Sequence, residues 1–334
     1  MLFLRKMRTK VVSLALQGGG SHGAFTWGVL DRLLEEERID IEAISGASAG
    51  AMNAVVLAYG LTIGGREGAR QALTDFWATV SSKVPFHFMP EDAAFNTALI
   101  LARYFSPYQL NPFNVNALRS ILASQLDFER LRADCKINLF IATTQISTGT
   151  LRLFSNKQVS LDVLLASACL PGLNHAVQID GEAYWDGGLT ANPPMFPLLY
   201  QSAANDIIVI LLHPRRRMAT PISADDISHR VAEIGFSSTF FSELQGLALA
   251  KREAERSPFA VGRMKRQLRR LNLHLIDAQE LMSRLSALSK LNTRASFINA
   301  LRDEGRSHAE VWLAENIQSI GVRSSFSPAE LLLG

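Results

Sequence analysis

Two short apolar runs, each followed at once by a glycine-rich turn and then by a helical pattern, constrain the fold of this sequence most. Residues 11–17 (VVSLALQ) are apolar, partly β-branched and end in three glycines, which predicts a buried strand. After Gly23, large apolar side chains recur at helical spacing. A second short strand at residues 43–45 leads through Gly46 into another helix, which begins near Ser48. This alternation predicts parallel strands joined by right-handed crossovers.

The rest of the chain continues the mixture of strands and helices. Residues 67–80 are predicted as helix, and Asn111-Pro112 is predicted to start another helix that runs to about Leu126. Further predicted elements are hairpins at 136–155 and around Asp180-Gly181, helices at 160–168 and from Asn192-Pro193-Pro194, a strand at 207–212, a helix at 223–256 and a strand at 271–276 followed by helices. We therefore predict one α/β fold in which residues 12–200 form the core. Residues 201–334 are expected to add the last strands and a helical C-terminal extension to the same unit.

The composition fits a globular chain and excludes several other classes. With 334 residues, of which 48% are hydrophobic and 19% charged, the chain can bury a large core and is neither disordered nor a coiled coil. Cys135 and Cys169 lack zinc-type spacing and are expected to be buried, inert thiols. The uncharged stretch 43–65 is long enough to span a bilayer, but its glycines favour a buried helix. The N-terminal apolar run is too short for a secretory signal, so we expect a cytoplasmic protein.

Basic side chains are concentrated in one part of the sequence. The formal net charge is only +3, but residues 251–270 carry eight Lys and Arg side chains against two Glu. The average charge therefore gives no reason to expect nucleic-acid binding. A solvated surface is the ordinary explanation for such a run. The alternative is peripheral contact with an anionic membrane through Lys265, Arg266, Arg269 and Arg270.

The first glycine-rich turn consists of Gly18, Gly19, Gly20, Ser21, His22 and Gly23. Glycines at such a position allow a sharp turn that aims backbone N–H groups at an anion beside a helix N-terminus. The same pattern describes a dinucleotide-binding turn, but that fold requires an acidic residue at the end of the second strand. Asp40 and Glu42 precede that strand instead. A nicotinamide-binding enzyme is therefore the weaker alternative.

The second turn has the GxSxG pattern formed by Gly46, Ser48 and Gly50. The pattern acquires its meaning from a strand–turn–helix setting, because such a turn is so tight that its flanking residues must be small. The turn lifts the serine clear of the sheet at a helix N-terminus. Ser48 is therefore the candidate nucleophile, and the alternative is a serine that only caps the helix.

A third turn, Asp186-Gly187-Gly188, follows the hairpin at Asp180-Gly181. An Asp before two glycines is ordinarily a turn residue. Together, however, the three turns and the surrounding stretches LALQGGGSHGAF and DGGLTANPP resemble the patatin-like phospholipase family, and in particular its bacterial-type acyl hydrolases. The resemblance covers roughly residues 12–200. It implies a three-layer α/β/α fold with a mostly parallel central sheet.

The resemblance also implies an activity and a role for each matching residue. It implies a serine lipid acyl hydrolase that cleaves fatty-acyl esters without a cofactor or a metal. Ser48 would be the nucleophile and Asp186 the general base of a Ser–Asp dyad, with an acyl-enzyme intermediate. The oxyanion hole would be formed by backbone N–H groups of Gly18, Gly19, Gly20 and Ser21, and the turns would be shaped by Gly23, Gly46, Gly50, Gly187 and Gly188. The expected partner is a lipid or another acyl ester, and no nucleic acid is expected.

Several alternatives remain open at this stage. The family often has Arg or Lys where this chain has His22, so a charge at that position is expected to depend on pH and His22 to act at most as a modulator. A conventional triad of Ser48, Asp186 and His213 has the order of an α/β-hydrolase. A non-catalytic lipid-binding or regulatory module on the same fold is the alternative from another functional class. The aromatic-rich stretch 84–113 is expected either to wall an acyl channel or to fill core beneath a loop.

Overall fold

The computed structural model describes residues 9–84, 106–256 and 262–328. Within these ranges eight strands form a single sheet: β1 (Lys10–Leu16), β2 (Ile39–Gly46), β3 (Asn138–Gln145), β4 (Thr150–Ser155), β5 (Val177–Ile179), β6 (Glu182–Asp186), β7 (Asp206–Leu211) and β8 (Asn272–Asp277). Their order is β5-β6-β3-β2-β1-β7-β8, and β4 also pairs with β3. Strands β3, β2, β1, β7 and β8 are parallel, whereas β4 and β6 run antiparallel to β3, and β5 to β6. The predicted mostly parallel sheet is confirmed, as are both hairpins.

The helices lie between these strands in the chain and form a C-terminal extension after β8. They are α1 (Gly23–Glu35), α2 (Ala49–Lys83), α3 (Pro107–Leu110), α4 (Ala117–Gln125), α5 (Phe128–Asp134), α6 (Leu161–Ser167), α7 (Phe196–Gln201), α8 (Ala224–Arg256), α9 (Arg263–Arg270), α10 (Gln279–Arg284) and α11 (Ala295–Asn316). Short 3₁₀ helices occupy Gly20–His22, Asn156–Gln158, Gly187–Leu189 and Ala287–Leu291. The expected helical C-terminal region is therefore present.

Helices pack on both faces of the sheet, and the central strands show why. Leu14 and Leu16 of β1 are buried against α1, α2 and α11. Ala15, which lies between them, faces a second core formed with α7 and α8. Successive side chains of a strand point to opposite faces, so a strand covered on both sides must be apolar throughout. All six residues of β7 are buried accordingly, and the predicted three-layer α/β/α architecture is confirmed.

Two helix starts differ from the prediction, and one predicted break between helices is present. The helix expected from Asn111-Pro112 begins at Ala117, because the side chain of Asn116 caps it by accepting from the N–H groups of Leu118 and Arg119. The Asn111 side chain is instead hydrogen-bonded to the backbone of Val115 in a preceding turn. The helix predicted to begin near Ser48 and the helix predicted at 67–80 both lie within α2, and they are separated there by non-helical backbone at Gly64 and Gly65. The helix expected from Asn192-Pro193-Pro194 begins at Phe196.

The topology brings three chain segments to one edge of the sheet. The carboxyl ends of parallel strands meet at the same edge, which is where α/β proteins place their ligand sites. Residues 17–22 follow β1, Ser48 follows β2, and His213 follows β7. This edge therefore holds the first two glycine-rich turns together.

Candidate active site

The first glycine-rich turn is held in place by two buried amide side chains. Asn192 Oδ1 accepts a hydrogen bond of 2.6 Å from the Gly18 N–H. Gln17 Nε2 donates to the Asn192 carbonyl at 3.1 Å, and Gln17 Oε1 accepts from the N–H groups of Leu212 and His213 at 2.7 and 2.8 Å. The turn is thereby tied both to the segment after Asp186 and to the end of β7. The sequence predicts Asn192 only as a helix start, although its place in the stretch DGGLTANPP is a signal for a further role.

This arrangement changes which amides of the turn are available to bind an anion. Because the Gly18 N–H already donates to Asn192, Gly18 does not fit the predicted role in the oxyanion hole. Across the described ranges, the N–H groups of Gly19, Gly20 and Ser21 make no backbone hydrogen bond. Gly20 has a left-handed φ of 59°, and a Cβ there would also collide with the carbonyl of Lys290, so the position requires glycine.

Ser48 lies on a strained turn between β2 and α2. Its backbone has φ 52° and ψ −124°, a conformation that a non-glycine residue adopts only when its surroundings enforce it. The Ser48 N–H donates to the Ser167 hydroxyl at 3.0 Å, a contact that the sequence did not indicate. The first glycine-rich turn lies close to Ser48, since a Cβ on Gly18 would be only 2.7 Å from the Ser48 Cβ. This is the geometry expected of a nucleophile elbow.

Asp186 ends β6 and is completely buried. Its Oδ1 accepts a hydrogen bond of 2.7 Å from the Gly188 N–H, whereas Oδ2 has no hydrogen-bond partner in the described residues. Burial raises the pKa of Asp186 to about 7, although the Gly188 amide and the nearby Ser48 hydroxyl lower it. The Ser48 hydroxyl is thus near enough to lower this pKa, but within the described residues no regular hydrogen bond joins it to Asp186 Oδ2.

Strand β3 explains how residues so far apart in sequence come together. It pairs with β2 through residues 138–141 and with β6 through residues 143–145. Because β4 pairs with β3 along residues 140–145 and a strand has only two edges, β2 and β6 must share the other edge. Gly46 at the end of β2 pairs with Ile141, and Asp186 at the end of β6 pairs with Thr143. The second and third turns therefore meet end to end.

The remaining glycines of the three motifs also lie in close contacts. At each of them a Cβ would come within 3.0 Å of a neighbouring atom: Gly23, Gly46, Gly50, Gly187 and Gly188. Cβ atoms essentially never approach other heavy atoms so closely. Small residues at these positions therefore allow the turns to pack against one another.

Ser48 and Asp186 line a cavity of about 1110 Å³ together with the first glycine-rich turn. The cavity has two chemically different parts. One is lined by apolar side chains of α2, α4 and α6, namely Met52, Phe76, Trp77, Val80, Leu118 and Leu165. The other contains charged and polar side chains from the chain after residue 200, namely His213, Arg217, Arg230, Glu233, Ser286 and Lys290. Such a cavity matches a molecule with an apolar tail and a polar head.

His22 does not behave as the sequence suggested. Burial and the charges of Lys290 and Arg217 lower its pKa to about 3, so the expected pH-dependent charge near neutrality is absent at this position. Its Nε2 lies 2.7 Å from the Ser289 hydroxyl. Because Ser289 donates to the Ser286 carbonyl, it must accept from His22 Nε2–H.

His213 is engaged by residues other than Ser48 and Asp186. Its Nδ1 lies 3.0 Å from the Ser237 hydroxyl, and its Nε2 lies 2.9 Å from Lys290 Nζ. Burial and the charge of Lys290 lower its pKa well below the usual value. Both ring nitrogens are thus occupied, which disfavours the alternative triad.

The aromatic-rich stretch 84–113 lies largely outside the described ranges, and the predicted basic cluster lies away from the cavity. Of the aromatic side chains in 84–113, Phe86, Phe88, Phe95, Tyr104 and Phe105 fall outside the described residues. Tyr108 and Phe113 are exposed, and neither lines the cavity. The basic side chains Lys265, Arg266, Arg269 and Arg270 lie on α9, which ends just before β8 begins and contacts Ser202 near the start of β7 through Gln267. They are therefore at the amino edge of the sheet, opposite Ser48.

The described residues also bear on the membrane and cysteine predictions. None of the helices in these ranges combines the length and the apolarity needed to cross a bilayer. Cys135 and Cys169 are free thiols; Cys169 is buried and Cys135 partly buried. Burial raises the pKa of both, that of Cys169 to about 12, as expected of inert thiols.

Several known proteins are similar to this chain over part of its length. It is 27% identical over 219 residues to the cGAMP-activated phospholipase of Vibrio cholerae, which covers 58% of this chain and 58% of that protein. It is 26% identical over 223 residues to the uncharacterized protein YjjU of Escherichia coli, which covers 66% of this chain and 57% of that one. The chain thus spans less than two thirds of the length of these relatives. Among solved structures, VipD from Legionella pneumophila matches with a TM-score of 0.44 and 16% identity, over 92% of this chain and 67% of that one.

A family model identifies the family to which this chain belongs. Residues 14–199, more than half of the chain, match the family described as patatin-like phospholipase. The matched range begins in β1, ends in α7, and includes all three glycine-rich turns. The chain belongs to the patatin-like phospholipase family.

Proposed function

We propose that this protein is a serine lipid acyl hydrolase of the phospholipase A or esterase type, with Ser48 as nucleophile and Asp186 as general base. One observation carries the proposal: a serine on a strained turn and a buried carboxylate with an unpartnered oxygen line the same cavity. Strain and buried unpaired polar atoms are costly, and they are kept where function requires them. A non-catalytic lipid-binding module would need neither the strained Ser48 turn nor the unpartnered Asp186 oxygen.

The geometry supports a two-step reaction. The ester carbonyl oxygen binds at the free N–H groups of Gly19, Gly20 and Ser21, where the charge that develops in the transition state is stabilised. Asp186 accepts the Ser48 proton as Ser48 Oγ attacks the carbonyl carbon. Asp186 then protonates the leaving alcohol, and an acyl-enzyme remains. In the second step Asp186 takes a proton from water, whose oxygen attacks the acyl carbon, and then returns that proton to Ser48 Oγ as the fatty acid is released.

The pKa of Asp186 suits this role. A general base works best when its pKa is close to the operating pH, and burial has moved that of Asp186 to about 7. The acyl chain would lie along the apolar part of the cavity, which includes Phe76, Trp77 and Leu118.

We also propose that the protein contacts a lipid surface. Two surfaces are candidates, the basic side chains of α9 and the exposed apolar side chains around the cavity, and the apolar ones are better placed. We call these side chains the apolar rim: Val115, Leu173, Met218, Ile222 and Val231, all exposed. Val115, Leu173 and Ile222 also line the cavity. A membrane bound at the basic side chains of α9 would instead face the edge of the sheet away from Ser48. The free thiols of Cys135 and Cys169 agree with a reducing compartment, and we propose a cytoplasmic location.

Labelling with a fluorophosphonate and hydrolysis of p-nitrophenyl butyrate test the proposed function together. The wild-type protein and the control variant Ser120→Ala, at an exposed serine of α4, should be labelled and active. Ser48→Ala should lose both properties while keeping the wild-type melting temperature. Wild-type protein that binds lipid but is neither labelled nor active would instead support a lipid-binding module.

A further inference from the structure

Lys290 lies directly behind the first glycine-rich turn. It belongs to the 3₁₀ helix Ala287–Leu291, and its carbonyl occupies the space that a Cβ on Gly20 would need. Its side chain lines the cavity that contains Ser48. The residue therefore lies against the turn whose amides are proposed to bind the ester oxygen, and its side chain reaches the same cavity.

The ammonium group of Lys290 is only partly satisfied. It has three N–H donors and can only donate, so it donates to His213 Nε2 at 2.9 Å. The His213 proton must then be on Nδ1, from which it is donated to the Ser237 hydroxyl at 3.0 Å. Among the residues that the structure describes, Lys290 Nζ has neither a second hydrogen bond nor a salt bridge. Two charged donors thus remain available in the cavity, where an unpaired charge is costly.

The surrounding charges leave this part of the cavity positive. Arg217 and Arg230 both bind the single carboxylate of Glu233, and in the part of the chain that the structure describes Lys290 forms no salt bridge of its own. Two other acidic side chains line the cavity: Asp186, whose raised pKa of about 7 leaves it only partly ionised at neutral pH, and Asp226, which is exposed and bonded to Ser223. Burial and Arg217 lower the pKa of Lys290 to about 8 against the effect of Glu233, so the group is still mostly protonated at neutral pH.

We propose that Lys290 binds the phosphodiester of a glycerophospholipid while the acyl ester of the same molecule lies at Gly19–Ser21. This proposal rests on the proposed function. A phosphodiester oxygen is a strong acceptor for an ammonium donor. In a glycerophospholipid the phosphodiester is only a few bonds from the ester carbonyl, and in the protein Lys290 packs directly against the glycine turn. The apolar part of the cavity would hold the acyl chain. Residues 213–233 and 290 lie outside the matched range 14–199, so this specificity would be a property of this chain.

Binding to inactive full-length protein tests the proposal without requiring turnover. Ser48→Ala protein is titrated with monomeric dihexanoyl phosphatidylcholine and with uncharged dihexanoylglycerol. We expect it to bind the phospholipid at least tenfold more tightly. Adding Lys290→Met should remove this preference, and Lys290→Arg should restore most of it because the positive charge is retained. Lys265→Met on α9 removes a lysine at the opposite edge and should leave the preference intact.

The possible outcomes separate this proposal from others. Equal affinity for both lipids in the Ser48→Ala protein, or a preference that survives Lys290→Met, overturns it. Binding of dihexanoylglycerol to the Lys290→Met variant checks that its cavity is still folded. Inorganic phosphate that binds as tightly as the phospholipid would show a site for free phosphate, which also overturns it. A lipid preference without fluorophosphonate labelling of the wild type contradicts the proposed function alone.

Discussion

The Gly18 N–H donates a hydrogen bond of 2.6 Å to Asn192 Oδ1, although 174 positions separate the two residues. Asn192 is completely buried and follows the Asp186-Gly187-Gly188 turn. The segment that contributes the proposed base therefore also fixes the turn that contributes the proposed oxyanion hole. This makes Asn192 a positioning residue.

Asn192→Ala should lower the kcat of ester hydrolysis by about tenfold or more. Loss of one buried hydrogen-bond partner costs about 1–3 kcal/mol, and the freed turn would no longer hold its amides at the ester oxygen. The measurement is steady-state kinetics on p-nitrophenyl butyrate together with the rate of fluorophosphonate labelling. Asn299→Ala, at an exposed position of α11, is the control. A wild-type kcat in the Asn192 variant would show that the turn is held without it.

Asp186→Asn should reduce kcat at least several hundred-fold, because a neutral amide cannot accept the Ser48 proton. Positioned general bases contribute about 10²–10⁴-fold. His213→Ala should cost less than about tenfold on the same uncharged ester, since both ring nitrogens are bonded to Ser237 and Lys290. A larger loss for the histidine variant would favour the Ser48–Asp186–His213 triad.

Asp186→Asn should also make the protein more stable at pH 8. The pKa of Asp186 is about 7 in the folded protein against an ordinary value of 3.8, so between these values the folded state binds more protons than the unfolded state. Stability must then fall as pH rises through this window, by at most about 4 kcal/mol. Urea unfolding at pH 4, 6 and 8 measures the effect.

The stability gain from Asp186→Asn should be largest at pH 8 and should disappear near pH 4. Asp40→Asn, at an exposed aspartate, controls for the general effect of removing a carboxylate. Identical pH dependence in the wild type and the Asp186 variant would mean that this carboxyl does not carry a raised pKa.

The apolar rim should determine binding to lipid vesicles. Met218 and Ile222 are 85% and 88% exposed, and replacing both with Glu should sharply reduce sedimentation with phospholipid vesicles because charged side chains resist burial in a bilayer. The control replaces Lys265, Arg266, Arg269 and Arg270 with Gln. If the control loses vesicle binding and the rim variant does not, the basic side chains of α9 form the membrane contact.

Structural features that depend on local sequence patterns are predicted correctly. The strands, the hairpin at Asp180-Gly181 and the three glycine-rich turns follow from apolar runs and turn residues. The predicted helix start at Asn111 is wrong because Asn116 offers the same capping side chain, and only the turn between Asn111 and Val115 distinguishes the two positions.

Features that depend on distant contacts could not be predicted. The bond between Gly18 and Asn192 joins segments whose proximity follows from sheet order. The lowered pKa of His22 depends on burial and on Lys290, 268 positions further along. The free donors of Lys290 become visible only when all of its neighbours are known.

The division of the cavity between two parts of the chain has an evolutionary consequence. The proposed reacting groups come from residues within 14–199, whereas the charged part of the cavity lining comes from residues 213–233 and 286–290. If the proposed function is correct, substitutions in the later part alter which lipid is accepted while the proposed reacting groups stay intact. New selectivities could therefore arise by gradual change outside the catalytic motifs, without passing through inactive intermediates.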